Sequence, residues 1–345
     1  MRSHDFVPLT IKQVVCETTD AVSLVLDVPL ESHADFAYHP GQFLTVRCDM
    51  SGKRVKRCYS LSSSPHWDDR HVITIKRVAG GRVSNALCSN LRAGDVLECL
   101  PPSGMFVPKS LDGDFLLFAG GSGVTPVLSI AKSALAQGAG KVLLIYANRD
   151  ENSIIFRDVL RQLVSEYPER MAVVHWQESL QGLPTKSNLA LLSKGWLSAE
   201  VFVCGPTPFM VNVTQALEGL GLDPARIHVE KFVSLPDEDV LPAESITKSE
   251  GSTLGVSLTV ELDGTEHHLQ WREGEKMLDA LLAAGVDAPY SCRVGGCSAC
   301  MCQVTSGKVE MANNLVLDAR ELAEGWVLSC QALPAGTPVS AVVPT

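Results

Sequence analysis

Four cysteines near the end of the chain carry the sharpest chemical signal. Cys292, Cys297, Cys300 and Cys330 are spaced C-x4-C-x2-C…C, the pattern of plant-type [2Fe–2S] centres. Four soft thiolates must converge on two irons, and the bridging sulfides need backbone N–H donors around them. The loop SCRVGGCSAC offers both, with Gly295 and Gly296 letting the backbone wrap closely. The fourth ligand is expected on a strand, LSCQA, that closes the site. Zinc would also take four thiolates, but zinc sites usually pair two C-x2-C knuckles, and only one is present here. Cys302 reads as a spare thiol on the opposite side of a strand. His267 and His268 could suggest Rieske-type ligation, but the four cysteines leave them no vacancy.

A second chemistry sits mid-chain. AGGSGVTPVLSI follows the apolar run FLLFAG and opens a helical stretch. In that context Gly121 and Gly123 permit close backbone approach to a pyrophosphate, and Pro126 suits the first helical turn. Proline replaces the third glycine of G-x-G-x-x-G, which favours a related nucleotide loop over a true dinucleotide fingerprint. A tight strand–helix turn without a ligand is the alternative. Nearer the start, Arg57-Cys58-Tyr59-Ser60 ends a basic run. An Arg for phosphate, a Tyr for stacking and a Ser for a polar ring edge suit a flavin, although an ordinary strand could carry the same four residues.

These residues need scaffolds, and the pattern of the chain supplies three. Residues 6–108 read as short β-rich pieces alternating apolar and polar residues, with one helical stretch near VSNALCSNL, the pattern of a small antiparallel barrel. From Phe115, buried-type strands alternate with helices (VLSIAKSALAQG, SIIFRDVLRQLVSEY, PFMVNVTQALEGLG), which indicates a parallel α/β sheet ending near Phe232. Residues 233–253 are rich in Pro, Ser and acids and read as a linker, long enough to let the last module swing between two partners. From Leu254 a hairpin with Asp263-Gly264 at its turn, a helix stopped by Gly285, the cysteine loop and further short strands make a compact α+β module. The expected division is 1–109 flavin barrel, 110–232 nucleotide domain, 233–253 linker and 254–345 iron–sulfur domain.

Composition narrows the function classes. The 345 residues carry a net charge of -10. Residues 1–232 hold 23 basic and 23 acidic side chains, whereas residues 233–345 hold 6 and 16, so the whole imbalance lies in the last third. Such a surface repels phosphate backbones, making nucleic acid an unexpected partner; it can steer docking onto a basic protein patch or simply maintain solubility. No apolar run is long enough to span a bilayer and the N-terminus lacks a secretory pattern, so a cytoplasmic enzyme without a membrane partner is expected. The other cysteines (Cys16, Cys48, Cys58, Cys88, Cys99, Cys204) are scattered singly and read mostly as buried small hydrophobes, Cys204 being the candidate exception.

In order and spacing, HPGQF at 39–43, RCYS at 57–60, GGRVSN at 80–85, GGSGVTP at 120–126 and CGPTPFM at 204–210 resemble the ferredoxin–NADP reductase superfamily. With a C-terminal plant-type ferredoxin of β-grasp fold, the whole chain looks like the reductase components of bacterial oxygenases. LPPSGMFVPKSL, VVHWQESLQGLPT and IHVEKFVSLP are similar to the branch serving 3-ketosteroid 9α-hydroxylases, and the phenylacetyl-CoA epoxidase branch shares the module order. The resemblance implies FAD, a [2Fe–2S] cluster, NADH (with NADPH possible) and a terminal oxygenase partner of Rieske type acting in steroid degradation. It places Arg57 on the flavin phosphates, Tyr59 on the ring or ribitol and Ser60 near the reactive ring edge. Gly81, Val83 and Ser84 would cradle the FAD pyrophosphate, with Lys76 and Arg77 at the neighbouring strand edge. Gly121, Ser122, Gly123 and Thr125 would bind the nicotinamide nucleotide, Cys204, Gly205 and Pro206 would flank the nicotinamide, and Glu230 and Phe232 would approach the flavin. Ser60, Cys204 and Glu230 are the expected catalytic set.

The combination has a physical logic. A nicotinamide delivers two electrons together as hydride, whereas a [2Fe–2S] centre accepts one, so a flavin must stand between them. The competing readings are a ferredoxin-type electron carrier without enzymatic activity and a zinc-bearing or redox-sensing interaction protein. After KVLLIYA, both an Arg (Arg149) and acids (Asp150, Glu151) are available to meet a ribose hydroxyl or a 2′-phosphate, so the local sequence leaves nucleotide preference open.

Overall fold

A computed structural model of the chain describes residues 5–50, 52–233, 235 and 255–344. The expected linker lies outside the described residues except at Val233 and Leu235. The molecule is multidomain, with an antiparallel barrel, a parallel α/β sheet and an α+β module of β-grasp type.

Strands β1 (Val7–Thr18), β2 (Ala21–Asp27), β3 (Phe43–Met50), β4 (Lys53–Ser60), β5 (His71–Lys76) and β6 (Val96–Cys99) pair antiparallel in the order β4-β3-β6-β1-β2-β5. A bridge between Leu61, just past β4, and Ile73 in β5 joins the two edges and rolls the sheet into a barrel. Period-two alternation turns Leu9, Ile11, Leu24, Leu26, Leu44 and Val46 inward. Helix α1 (Arg82–Asn90) adds Val83 and Leu87 to the same core.

The second sheet contains β7 (Phe115–Gly120), β8 (Val142–Asn148), β9 (Met171–Gln177), β10 (Glu200–Cys204) and β11 (Ile227–Glu230), all parallel, in the order β11-β10-β7-β8-β9. Both faces of the central strands are covered, so β7, β8 and β10 are largely apolar, whereas the edge strands β9 and β11 carry polar residues such as His175 and Glu230. Phe115, Leu117 and Ala119 face one core with helices α2 (Val124–Gln137) and α3 (Arg157–Glu166). Leu116 and Phe118 face the other core. That core is completed by α5 (Lys186–Ser193) and α6 (Thr207–Gly219), with the single turn α4 (Glu178–Gln181) preceding them. Strand order reverses between β7 and β10, and the crevice beyond the carboxyl ends of such strands is where open α/β sheets bind ligands. Helix α2 also ties this sheet to the barrel: buried Lys132 pairs with Asp68 at 3.0 Å, and the Ser133 and Ser64 hydroxyls share a hydrogen bond of 2.7 Å.

One helix differs from expectation. SIIFRDVLRQLVSEY does not form a continuous helix: Glu151–Ser153 is a 3-10 turn, and α3 begins only at Arg157. Ile154, Ile155 and Phe156 are buried in the core, and Phe156 adopts φ +61 to bring its ring there, a left-handed residue that no helix can contain.

The third module is a sheet of β12 (Gly255–Leu262), β13 (Thr265–Arg272), β14 (Met301–Ser306), β16 (Trp326–Leu328) and β18 (Val339–Val343), with the small pair β15 (Val309–Met311) and β17 (Ala332–Pro334) beside it. Asp263 and Gly264 both take positive φ in the hairpin turn, as the Asp-Gly pair demands. Helix α7 (Met277–Ala283) packs on the sheet around fully buried Trp271, and the short α8 (Ala319–Ala323) is closed by a capping box from Asp318 to Glu321.

Candidate functional site

The four cluster cysteines are brought together as two pairs, Cys292 with Cys297 and Cys300 with Cys330. The Cys297 thiol and the N–H groups of Val294 and Gly296, each 3.4 Å from Cys292 Sγ, hold the Cys292 thiol below its usual range. Cys300 does the same for Cys330. Two irons held by two thiolates each would use this arrangement. The four-thiolate donor set, arranged as two pairs, fits a [2Fe–2S] cluster. Cys330 sits in the turn between β16 and β17 rather than on a strand, because the chain must bend there to face Cys300. Cys302 is fully buried on the other side, its sulfur 3.8 Å from Met277 Sδ.

The cluster loop is packed against the barrel. Phe43 and Cys58 of the barrel join Leu235, Cys292, Val294, Cys297 and Ala299 in one apolar cluster. Thr45, on β3, shares a hydrogen bond with Ser291, and both are buried. Lys231 donates to the Val316 carbonyl at 2.7 Å across a neighbouring cleft lined by Val229, Ser298 and Asp318. Of the scattered cysteines, Cys48, Cys99 and Cys204 are buried, Cys58 and Cys88 are half-buried, and only Cys16 is exposed. Burial pushes the Cys58 thiol up to about 12, with Cys292 and Glu230 both close enough to add to that effect.

At the switch between β7 and β10, two turns interlock. Gly120 lies at the end of β7, Gly121 takes φ +53, and a 3-10 turn Gly121–Gly123 leads into α2. A Cβ on Gly123 would lie 2.1 Å from the Cys204 carbonyl oxygen, so only glycine lets this turn meet the end of β10. The Tyr146 hydroxyl donates to the Gly121 carbonyl at 3.1 Å and braces the turn from beneath. Thr125 spends its hydroxyl on the Ser122 carbonyl, and Ser122 is half-buried at the turn. Lys76, at the end of β5, brings its ammonium to 3.5 Å from the place where a Gly121 side chain would begin. It therefore faces the nucleotide turn of the second domain.

Cys204 is fully buried and pairs in register with Glu230 on the adjacent strand. Desolvation, then the Glu230 carboxyl, push its thiol well above the usual range. Burial alone raises the Glu230 carboxyl to about 8. Gly205 and Pro206 follow, with Pro206 exposed at the N-cap of α6, and Phe232 leaves its ring 49% exposed just past β11.

On the barrel, Ser60 is buried at the end of β4, Tyr59 is half-buried against the core, and Arg57 donates to the Lys56 carbonyl at 2.7 Å. Gly81 is the N-cap of α1. The neighbouring side chains serve the fold: Val83 is in the core, Ser84 Oγ accepts from the Val78 N–H, and Arg77 donates to Asn85 and Ser89 of the helix. Any anion at this turn would thus meet backbone N–H groups.

Comparison with known proteins agrees with this layout. Residues 7–107 match the oxidoreductase FAD-binding domain, 117–215 the oxidoreductase NAD-binding domain and 260–335 the 2Fe-2S iron-sulfur cluster binding domain. The chain is 52% identical over 331 residues to the ferredoxin reductase component of 3-ketosteroid-9-alpha-monooxygenase from Rhodococcus rhodochrous, covering 94% of this chain and 93% of that one. It is 35% identical to a component of 1,2-phenylacetyl-CoA epoxidase from Escherichia coli, covering 95% of each. Among solved structures, phthalate dioxygenase reductase matches with a TM-score of 0.58 at 24% identity, covering 98% of both chains, and shares the fold. The protein is an oxidoreductase of three cofactor domains. It belongs to the family of monooxygenase ferredoxin reductase components that combine FAD-binding, NAD-binding and 2Fe-2S domains. No helix among the described residues is long and apolar enough to cross a membrane.

Proposed function

We propose that the chain takes hydride from NADH at the β7–β10 crevice, passes electrons through FAD to the cysteine cluster, and delivers them singly to the oxygenase component of a 3-ketosteroid 9α-hydroxylase. The observation that carries this reading is the position of Cys58. It lies on the flavin-type strand β4, within electrostatic reach of Glu230 from the nucleotide domain and of Cys292 from the cluster loop. This supports a flavin strand packed directly against the cysteine loop, since Cys58 shares an apolar cluster with Cys292 and Cys297.

Bound flavin would accept two electrons as hydride and release them one at a time, which links a nicotinamide to a one-electron acceptor. Arg57, Tyr59 and Ser60 would hold it, with the backbone at Gly81, Val83 and Ser84 taking the pyrophosphate. Gly121, Ser122, Gly123 and Thr125 form the turn that would receive the nicotinamide nucleotide, and Lys76 adds the positive charge its phosphates need. Cys204, Gly205 and Pro206 would flank the nicotinamide. The Glu230 carboxyl is raised to about 8 by burial, and with Phe232 it would shield the reacting edge from water. Cys292, Cys297, Cys300 and Cys330 would ligate the two irons. The domain division at 1–109, 110–232, 233–253 and 254–345, a Rieske-type oxygenase as partner and a cytoplasmic location belong to the same proposal.

The test is reconstitution. The purified chain, NADH and a 3-ketosteroid hydroxylase oxygenase component should give 9α-hydroxylated steroid, whereas the oxygenase of a phenylacetyl-CoA epoxidase should give little epoxide. The reverse pattern would transfer the chain to the epoxidase-type partner, for which its 35% identity to the Escherichia coli epoxidase component provides the alternative.

A further inference from the structure

The strand after the nucleotide-turn helix ends, in open α/β folds, where the adenosine ribose is read. Here that strand is β8, ending at Asn148, followed by Arg149 and Asp150. Asn148 is only 7% exposed, with its amide beside the Tyr146 hydroxyl that braces the nucleotide turn. Asp150 is committed elsewhere, since its Oδ1 accepts from the Ser153 N–H and hydroxyl at 2.9 Å each.

Arg149 is the residue that could take a 2′-phosphate, and the barrel reaches across to occupy it. Asp20, in the turn between β1 and β2, places Oδ2 3.0 Å from the Arg149 guanidinium. An exposed ion pair alone would give way to a phosphate. This carboxylate, however, is held in place: Thr18 donates to its Oδ1 at 2.8 Å, the Arg77 N–H donates to its backbone carbonyl at 2.7 Å, and Lys76 stands 3.9 Å from Oδ2. A doubly charged 2′-phosphate would have to displace a fixed carboxylate and sit beside it.

We propose that Asp20 is the residue that selects NADH over NADPH, by holding Arg149 in an ion pair at the end of β8 and so withholding it from a 2′-phosphate. The inference rests on the nucleotide site of the proposed function and adds a selectivity determinant contributed by the flavin barrel. Discrimination then comes from withholding from the wrong nucleotide the cation that would bind its extra phosphate.

The test uses the full-length holoprotein with ferricyanide as acceptor, comparing wild type, Asp20→Asn, Arg149→Ala and the double variant. Wild type should prefer NADH. Asp20→Asn should raise kcat/KM for NADPH about tenfold, mainly through KM, while NADH changes about twofold or less. The double variant should lose that gain, because the freed Arg149 is what binds the phosphate. Calorimetric titration gives a readout independent of turnover: adenosine 2′,5′-bisphosphate should bind Asp20→Asn about tenfold more tightly than wild type, with 5′-AMP unchanged. An unmoved nucleotide ratio, a gain that survives Arg149→Ala, or a wild-type preference for NADPH would each overturn the assignment while leaving the electron-transfer reading intact. A wild type that oxidises neither nucleotide would overturn that reading itself.

Discussion

Thr45 of the barrel and Ser291 of the third module share a buried hydrogen bond, one residue before the first cluster cysteine. With Phe43 and Cys58 beside it, this contact sets the cluster loop against the flavin-type strand. Thr45→Val should leave the Ser291 hydroxyl buried without its partner, weakening docking by about 1–3 kcal/mol. Flavin-to-cluster electron transfer, followed by stopped-flow absorbance, should slow, while NADH-driven ferricyanide reduction holds. Equal slowing of both would mean that the contact supports the barrel fold rather than the docked arrangement.

The pairing of thiols gives a sharper cut. Cys330→Ser replaces one ligand of the Cys300 pair with a harder oxygen donor that iron in this setting binds less well. Iron content should fall or the cluster's reduction potential shift, with ferricyanide reduction retained and cytochrome c reduction lost. Cys302→Ser should keep its iron, since that thiol faces Met277 in the core.

Glycine 123 tests the nucleotide turn. Gly123→Ala would drive a methyl group into the Cys204 carbonyl, whereas Gly195→Ala meets nothing within 4 Å. The first should cut NADH-driven ferricyanide reduction about a hundredfold, because a misplacement of about 1 Å at a reacting centre has that effect; the second should be neutral. Comparable rates for the two variants would detach the turn from nucleotide binding.

The raised Glu230 carboxyl has a stability consequence with a definite sign. Between the ordinary carboxylate value of 4.5 and about 8, the native state holds a proton that the unfolded chain has released. Native stability therefore falls as pH rises through that window. Glu230→Gln stays neutral throughout, so its melting temperature should gain on wild type between about pH 5 and pH 9. A difference that does not change with pH would show that Glu230 is ionised in the native protein.

Legibility in the sequence follows the range of each interaction. The iron–sulfur module is readable because Cys292, Cys297 and Cys300 lie within nine residues of one another at plant-type spacing, inside the region that matches the 2Fe-2S domain. The barrel and the parallel sheet are readable from alternation and from continuous apolar strands. Contacts between modules are not: Thr45 and Ser291 are 246 positions apart, and nothing local to either marks the other. Asp20 looks like an ordinary turn residue, since its meaning depends on Arg149 arriving from another domain. Phe156 breaks an expected helix because tertiary burial overrides local propensity. The apolar neighbours of Cys330 resemble a strand, while the geometry of its pair requires a turn.

The proposed electron path runs from NADH through flavin to the cysteine cluster and out to an oxygenase. It can be followed by anaerobic rapid mixing of the holoprotein with NADH, read by absorbance and freeze-quench electron paramagnetic resonance. Flavin bleaching should precede the reduced-cluster signal, this signal should decay on adding the oxygenase component, and Cys330→Ser should show the first event with no transfer to the oxygenase. Oxygenase reduction at the wild-type rate in Cys330→Ser, or cluster reduction that precedes flavin bleaching, would contradict this path.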